Sequence, residues 1–183
     1  MELIGERLIP APIDRTWAAL NDPEILKASI TGCESLEKTG DDQYQVLLAV
    51  RVGPVSAKFK GNLRLSDMVP PHSYTIHFDG QGGGAGFGKG SADVSLAAAD
   101  GGTRLHYTAR AQVGGKIAQI GSRLIDAAAA KVAEDFFQAF EAKVRSEEGL
   151  APPQPTPAAA GSKLVWWVVG AIVAAALLYF ALR

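Results

Sequence analysis

The chain reads as an α+β protein in which a curved antiparallel sheet wraps a long C-terminal helix, with a separate apolar segment beyond it. Three observations carry that reading. Period-two alternation fills the middle of the chain, a period near 3.6 runs through residues 115–148, and the nineteen residues Leu164–Leu182 carry no charge. The order of segments is strand, two short helices, six strands, long helix, or β-α-α-β6-α. That order places the helical mass on one side of a single sheet. The 183 residues divide into a domain over 1–148, a linker over 149–162 and an anchor over 163–183.

The long helix is the strongest element. Ile117, Ile120, Leu124, Ala128, Val132, Phe136 and Phe140 recur every three or four positions, while Lys116, Arg123, Lys131, Glu134, Glu141 and Lys143 fall mostly on the other side. The spacing predicts an unbroken helix from Gly115 to Glu148, roughly 45 to 50 Å long at about 1.5 Å per residue. Such a helix needs a broad partner, and the strands upstream are the one candidate.

Leu3 to Ile9 reads as the opening strand, stopped by Pro10-Ala11-Pro12 because proline cannot donate to a ladder. A helix follows with Asp14 as its cap and Trp17, Ala18 and Leu20 on its buried side. Asn21-Asp22-Pro23 ends it and opens a second helix to about Ser29. From Glu34 the period is two. Tyr44, Val46, Leu48, Val50 and Val52 share a face, Gly53-Pro54 turns, and Ala57, Phe59, Gly61, Leu63 and Leu65 alternate with Lys58, Lys60, Asn62 and Arg64. Tyr74, Ile76 and Phe78 form the next inward row, then Ala92, Val94 and Leu96, then Leu105, Tyr107, Ala109 and Ala111. Such a sheet must coil around the helix, because strands twist and edges need covering. Its inward row mixes bulky residues with Ala57, Gly61, Ala92 and Ala109, which leaves room for something apolar; the same mixture also occurs in filled cores.

Composition excludes some functions. The formal charge is −1, with no cluster of basic residues and aromatics, so no nucleic acid is expected as a partner. His72, His77 and His106 are too scattered for a metal site, and no nucleophile, base or paired carboxylates stand at a recognisable spacing. Cys33 reads as a small buried hydrophobe. The glycine run Gly80 to Gly90 contains matches to a dinucleotide fingerprint, yet a strand follows it where that motif needs a helix. It reads as a hairpin loop. Gly82, Gly83, Gly84 and Phe87 form the candidate lid or partner patch, since a single aromatic among glycines needs somewhere to dock.

Prolines 152, 153, 155 and 157 make 149–162 an extended spacer, reaching roughly 40 Å at about 3.1 Å per residue. Leu164 to Leu182 nearly matches a hydrocarbon core of about 30 Å, with Trp166, Trp167 and Tyr179 near its ends, and is expected to be a single-pass transmembrane anchor. The N-terminus lacks the basic and apolar regions of a signal peptide. The domain is therefore expected on the cytoplasmic side of the inner membrane.

Three separated segments, Ile30-Thr31-Gly32-Cys33-Glu34, Val52-Gly53-Pro54-Val55 with Ala57-Lys58-Phe59-Lys60-Gly61, and Gly115 to Arg123, resemble the family of the carbon monoxide dehydrogenase G subunit. That family belongs to the helix-grip, or START and Bet v 1-like, superfamily. Thr31 departs from the proline the family usually has. The resemblance implies an accessory protein without catalysis of its own, whose partner is a molybdenum-dependent carbon monoxide dehydrogenase or related hydroxylase brought to the membrane. It also implies a cavity under the long helix for an apolar lipid, with no covalent cofactor. An isoprenoid quinone is the candidate, linking the enzyme to the respiratory chain. Parity and helix face choose Phe59, Phe78, Phe87, Tyr107, Ala109, Leu124 and Phe136 as its expected contacts. Two other readings stand beside this one: a membrane scaffold with no ligand, and a polyketide cyclase-like enzyme.

Overall fold

The computed structural model describes residues 1–148. Seven antiparallel strands form one sheet in the order β1-β7-β6-β5-β4-β3-β2, with β1 over Glu2–Ile9, β2 Cys33–Gly40, β3 Gln43–Val52, β4 Val55–Val69, β5 Ser73–Gln81, β6 Phe87–Ala99 and β7 Gly102–Gly114. Each of β2 to β7 pairs with the strand before or after it in sequence, so short turns build the whole meander. The one crossover leaves β1 at one edge, passes through helices α1 (Ile13–Leu20) and α2 (Pro23–Ser29), and enters β2 at the opposite edge. Register shifts in β2, and in β4 between Ser66 and Val69, bend the sheet as an unpaired residue must.

The expected alternation is present. Tyr44, Val46 and Tyr74 are buried on the inner face, whereas Lys58, Lys60, Arg64 and Arg104 are exposed on the outer one. The crossover is fixed locally. The Asp22 carboxylate caps α2 by accepting from the backbone N–H groups of Glu24 (2.8 Å) and Ile25 (3.3 Å), and Pro23 sits in the first turn, where its missing N–H costs nothing. The start of α1 differs from expectation. Pro12 takes the cap position without a side-chain bond, Asp14 falls inside the first turn, and Ala18 is exposed while Thr16, Ala19 and Leu20 are buried. Thr16 and Thr103 are fully buried, and both hydroxyls donate to the Ala11 carbonyl, tying the turn after β1 to β7.

The long helix also differs. The final helix, α3, spans Ser122–Glu148; Lys116–Ile120 forms a separate 3₁₀ turn before it. Gly115 (φ +84°) and Gly121 (φ +94°) bracket that turn in the left-handed region, which glycine reaches at no steric cost and an α-helix cannot contain. The periodicity through Ile117 and Ile120 therefore does not continue one helix. It belongs to a bent approach that turns Ile117 into the interior, where it is 8 % exposed.

The second half of α3 grips the sheet. Phe137, Phe140 and Val144 join Ile9, Leu20, Ile25, Tyr74, Val94, Leu96 and Leu105 in the main core, and Phe140 and Val144 are wholly buried. Phe136 stacks on Phe140 at 5.7 Å and meets Phe137 edge-on at 5.2 Å. Arg7, inward on β1, pairs with Glu134 and lies 5.7 Å from the Phe137 ring. Among the described residues no helix is long and apolar enough to cross a membrane. The linker 149–162 and the anchor Leu164–Leu182 lie outside the described residues.

Candidate ligand-binding site

The opposite end of the sheet is hollow. There the C-terminal ends of β3, β5 and β7 and the N-terminal ends of β4 and β6 meet the 3₁₀ turn, and a cavity of about 300 Å³ lies among Val46, Leu48, Val50, Phe59, Gly61, Leu63, Phe78, Asp79, Gly80, Phe87, Gly88, Val113 and Ile117. The side chains that line it are apolar except for Asp79, which is exposed on the outer face and accepts from the Asn62 amide at 3.1 Å. Such a wall rewards an apolar guest through dewetted area and offers little to orient a polar one.

Glycines shape this cavity by making room for rings. A Cβ on Gly82 would stand 2.5 Å from the Phe59 ring, one on Gly90 2.8 Å from Phe78, and one on Gly114 2.4 Å from Phe87. Each of the three aromatic rings thus occupies space that a side chain at the neighbouring glycine would claim. The glycine-rich loop is built into the same end. Gly83–Ala85 makes a 3₁₀ turn closed by the Gly82 N–H donating to Gly86 O at 2.7 Å, and a Cβ on Gly115 would come within 2.5 Å of Gly86 Cα. The loop therefore packs directly on the segment leaving β7. Gly83 and Gly84 are exposed.

Of the residues chosen from sequence, Phe59, Phe78 and Phe87 come together in this lining. Phe87 pairs with Gln81 and Gly114, on the outward parity of its strand, and its 40 % exposed ring curls over Gly114 at the strand end. A second, more polar depression of about 600 Å³ runs beside the free end of β7 and shares Phe87 and Val113, which partition the two. Tyr107 instead lies over Gly5 and against Phe137 at 5.3 Å, and Phe136 sits with the core phenylalanines. Ala109 is half-buried opposite Leu3 and Ala92, and Leu124 is 53 % exposed on α3. Ile117, read from sequence as part of the apolar face of the long helix, was not chosen for the lining, nor were Gly88 and Val113. The two glycines at 115 and 121 were the signal that could have placed Ile117 inside.

Other chemistry at this end is slight. Cys33 is half-buried beside the cluster of Leu36, Tyr44 and Val46; burial pushes its thiol up, against a smaller opposite pull from Lys27. Among the described residues no group of His, Cys, Asp and Glu could hold a metal ion. His77 shares a hydrogen bond of 2.9 Å with the Ser66 hydroxyl on the outer face.

A curved seven-stranded antiparallel sheet, a crossover of two short helices and a long C-terminal helix over an apolar hollow define a helix-grip protein of the Bet v 1 type. Residues 5–145 match the family model that describes the carbon monoxide dehydrogenase G subunit (CoxG), and the chain belongs to that family. A solved structure of a conserved protein from Geobacillus kaustophilus is similar at 31% identity, covering 80% of this chain and 97% of its own, with a TM-score of 0.76. TTHA0849 from Thermus thermophilus shares the fold at 20% identity, with 80% and 99% covered and a TM-score of 0.61. The ZhuI aromatase/cyclase from a Streptomyces species does so at 14% identity, with 81% and 95% covered and a TM-score of 0.58. No curated protein matches the chain.

Proposed function

We propose that this chain is a membrane-anchored accessory protein that brings a molybdenum-dependent carbon monoxide dehydrogenase, or a related hydroxylase, to the inner membrane and carries an apolar lipid in its pocket. The family description supports an association with carbon monoxide dehydrogenase, as a subunit other than the catalytic ones. The observation that carries the lipid is the pocket wall itself: Phe59, Phe78 and Phe87 over glycines, with Leu48, Val50, Val113 and Ile117 around them.

An isoprenoid quinone fits that wall by chemistry. Its prenyl chain and most of its ring are apolar, as the wall is, and a volume of about 300 Å³ takes the ring and the first part of a chain. The remainder would leave through the open end. Electrons from a dehydrogenase need a carrier that is insoluble in water, and a sheltered apolar site lowers the cost of holding one outside the bilayer. The anchor read from Leu164–Leu182 and the spacer before it would keep the domain near its lipid source.

The reading is tested by melting the protein with and without a short-chain quinone. A ligand that binds only the folded state raises the melting temperature by mass action, by an amount that grows with ligand concentration. A flat response in protein stripped of lipid would overturn the carrier reading and leave a tether alone. Capture of the carbon monoxide dehydrogenase from cell membranes by the tagged full chain tests the recruitment separately.

A further inference from the structure

The two ends of the sheet differ in charge. The filled end carries Asp41 and Asp42 in the β2–β3 turn, Asp67 near the end of β4 and Asp100 in the β6–β7 turn, against Lys38, Arg64 and an Arg104 held by Glu6. The hollow end carries Arg51, Lys60 and Lys89 near its strand ends, Lys116 on the 3₁₀ turn and Arg123 in the first turn of α3. All five are exposed and, among the described residues, form no ion pair. The acids at this end are fewer: Glu34 is held by Lys58 and Glu2 by Arg110, while Asp79 stands opposite Lys89 in the strand register and accepts from Asn62, leaving Asp126. Strand register brings Arg51 opposite Ser56 and Lys60 opposite Leu47 on the outer face, while Lys116 and Arg123 lie on the helix side, so the cations flank the pocket from both sides. Between them stand the apolar hairpin tip Val52-Gly53-Pro54-Val55 and the exposed Leu124.

We propose that this rim is a docking surface for an anionic phospholipid bilayer, which sets the pocket mouth against the lipid. A near-neutral chain that gathers free cations around an apolar opening has the sign and the chemistry that phosphate headgroups over hydrocarbon would recognise. The apolar stretch Leu164–Leu182 makes a bilayer the extended anionic surface nearest to hand. The rim argument stands on charge and exposure and holds whatever the pocket contains; it rests on the anchor reading only for proximity.

The test places an environment-sensitive fluorophore on a cysteine at Ser56→Cys, beside the hairpin tip, in the full chain carrying Cys33→Ser, with Asp100→Cys as the label at the opposite end. The protein is reconstituted in phosphatidylcholine vesicles with and without phosphatidylglycerol. Docking predicts a blue shift and quenching by lipid-borne nitroxide at position 56 that grow with anionic lipid and fade at high salt, with no change at position 100. Each basic residue near an anionic surface contributes about a five-fold preference, so Arg51→Glu with Lys60→Glu and Lys116→Glu should lower the ratio of docked to free domain by about a hundred-fold or more. Those residues make no ion pair among the described residues, and an unchanged circular dichroism spectrum verifies the fold. Equal signals in both lipids, or an unaffected triple variant, would overturn the proposal. So would a position-56 label shielded by the dehydrogenase and indifferent to phosphatidylglycerol, which would assign the rim to a protein. Failure of the anchor reading is read independently, as full chain that washes off neutral vesicles.

Discussion

The two ends of the space between sheet and long helix are built from the same strands and the same helix, yet one is solid and the other hollow. At the filled end α3 presents Phe136, Phe137, Phe140 and Val144 to Tyr74, Leu96 and Leu105. At the hollow end it begins with Leu124 and Val132 about half exposed and alanines at 127–130 between them, after a 3₁₀ turn that sends in Ile117 alone. The sheet changes in step: glycines at 82, 90 and 114 lie beneath the aromatic walls. Side-chain volume, not topology, divides the fold into a part that holds it together and a part that is free to hold something else.

The contrast is broken most directly at Phe140. With its side chain wholly buried, Phe140→Ala should cost about 3–5 kcal/mol, seen as a lower denaturation midpoint at unchanged slope. Phe59→Ala at the hollow end should cost markedly less in the same titration. Equal losses would mean that the pocket end is as tightly packed as the core.

Alkaline unfolding sharpens the same comparison. Burial, with a smaller push from Tyr44, drives the Tyr74 phenol well above its ordinary value of 10.0, and burial raises the Cys33 thiol above 9.0. Both stay neutral in the folded chain after they ionise in the unfolded one. Their contribution is therefore complete below those ordinary values and is lost as pH rises through and above them, at up to about 1.4 kcal/mol per pH unit for each proton. Tyr74→Phe should flatten the steeper loss above pH 10, leaving the shallower decline from Cys33. A decline of undiminished slope in Tyr74→Phe would place its origin elsewhere.

How much of this was legible in the chain follows from which signals are local. Strand parity is local, and it placed the rows through Tyr44, Phe59, Tyr74 and Leu105 and gave the number of strands. The position of Asp22 before Pro23 gave α2. The break at Gly121 was missed because apolar spacing runs through it, and spacing says nothing about the sign of φ. The pocket is not local at all. Phe59 and Gly82, or Phe87 and Gly114, meet only through the register of distant strands, so a list of aromatics could name Phe59, Phe78 and Phe87 without separating them from Tyr107 and Phe136, which pack in or against the filled end.

Smaller effects probe the join between the ends. Arg7 and Glu134 are each about a third or more exposed, so solvent weakens their pair, and Arg7→Met should cost about 0.5–1 kcal/mol. Double-mutant cycles with Glu134→Gln would measure the coupling. The least costly change belongs to Gly88, which lines the pocket and whose Cβ would meet nothing within 4 Å. Gly88→Leu should leave stability within about 1 kcal/mol of the parent while filling the space a ligand needs.

That variant provides the most direct test of the account. The full chain and Gly88→Leu are purified side by side, and their organic extracts are compared by mass spectrometry with a blank and an unrelated membrane protein. The account predicts a lipid, a quinone first among candidates, enriched at a fixed ratio to the parent and lost from Gly88→Leu. A parent that stays empty after quinone is added back, or the same lipid retained by Gly88→Leu, would contradict it.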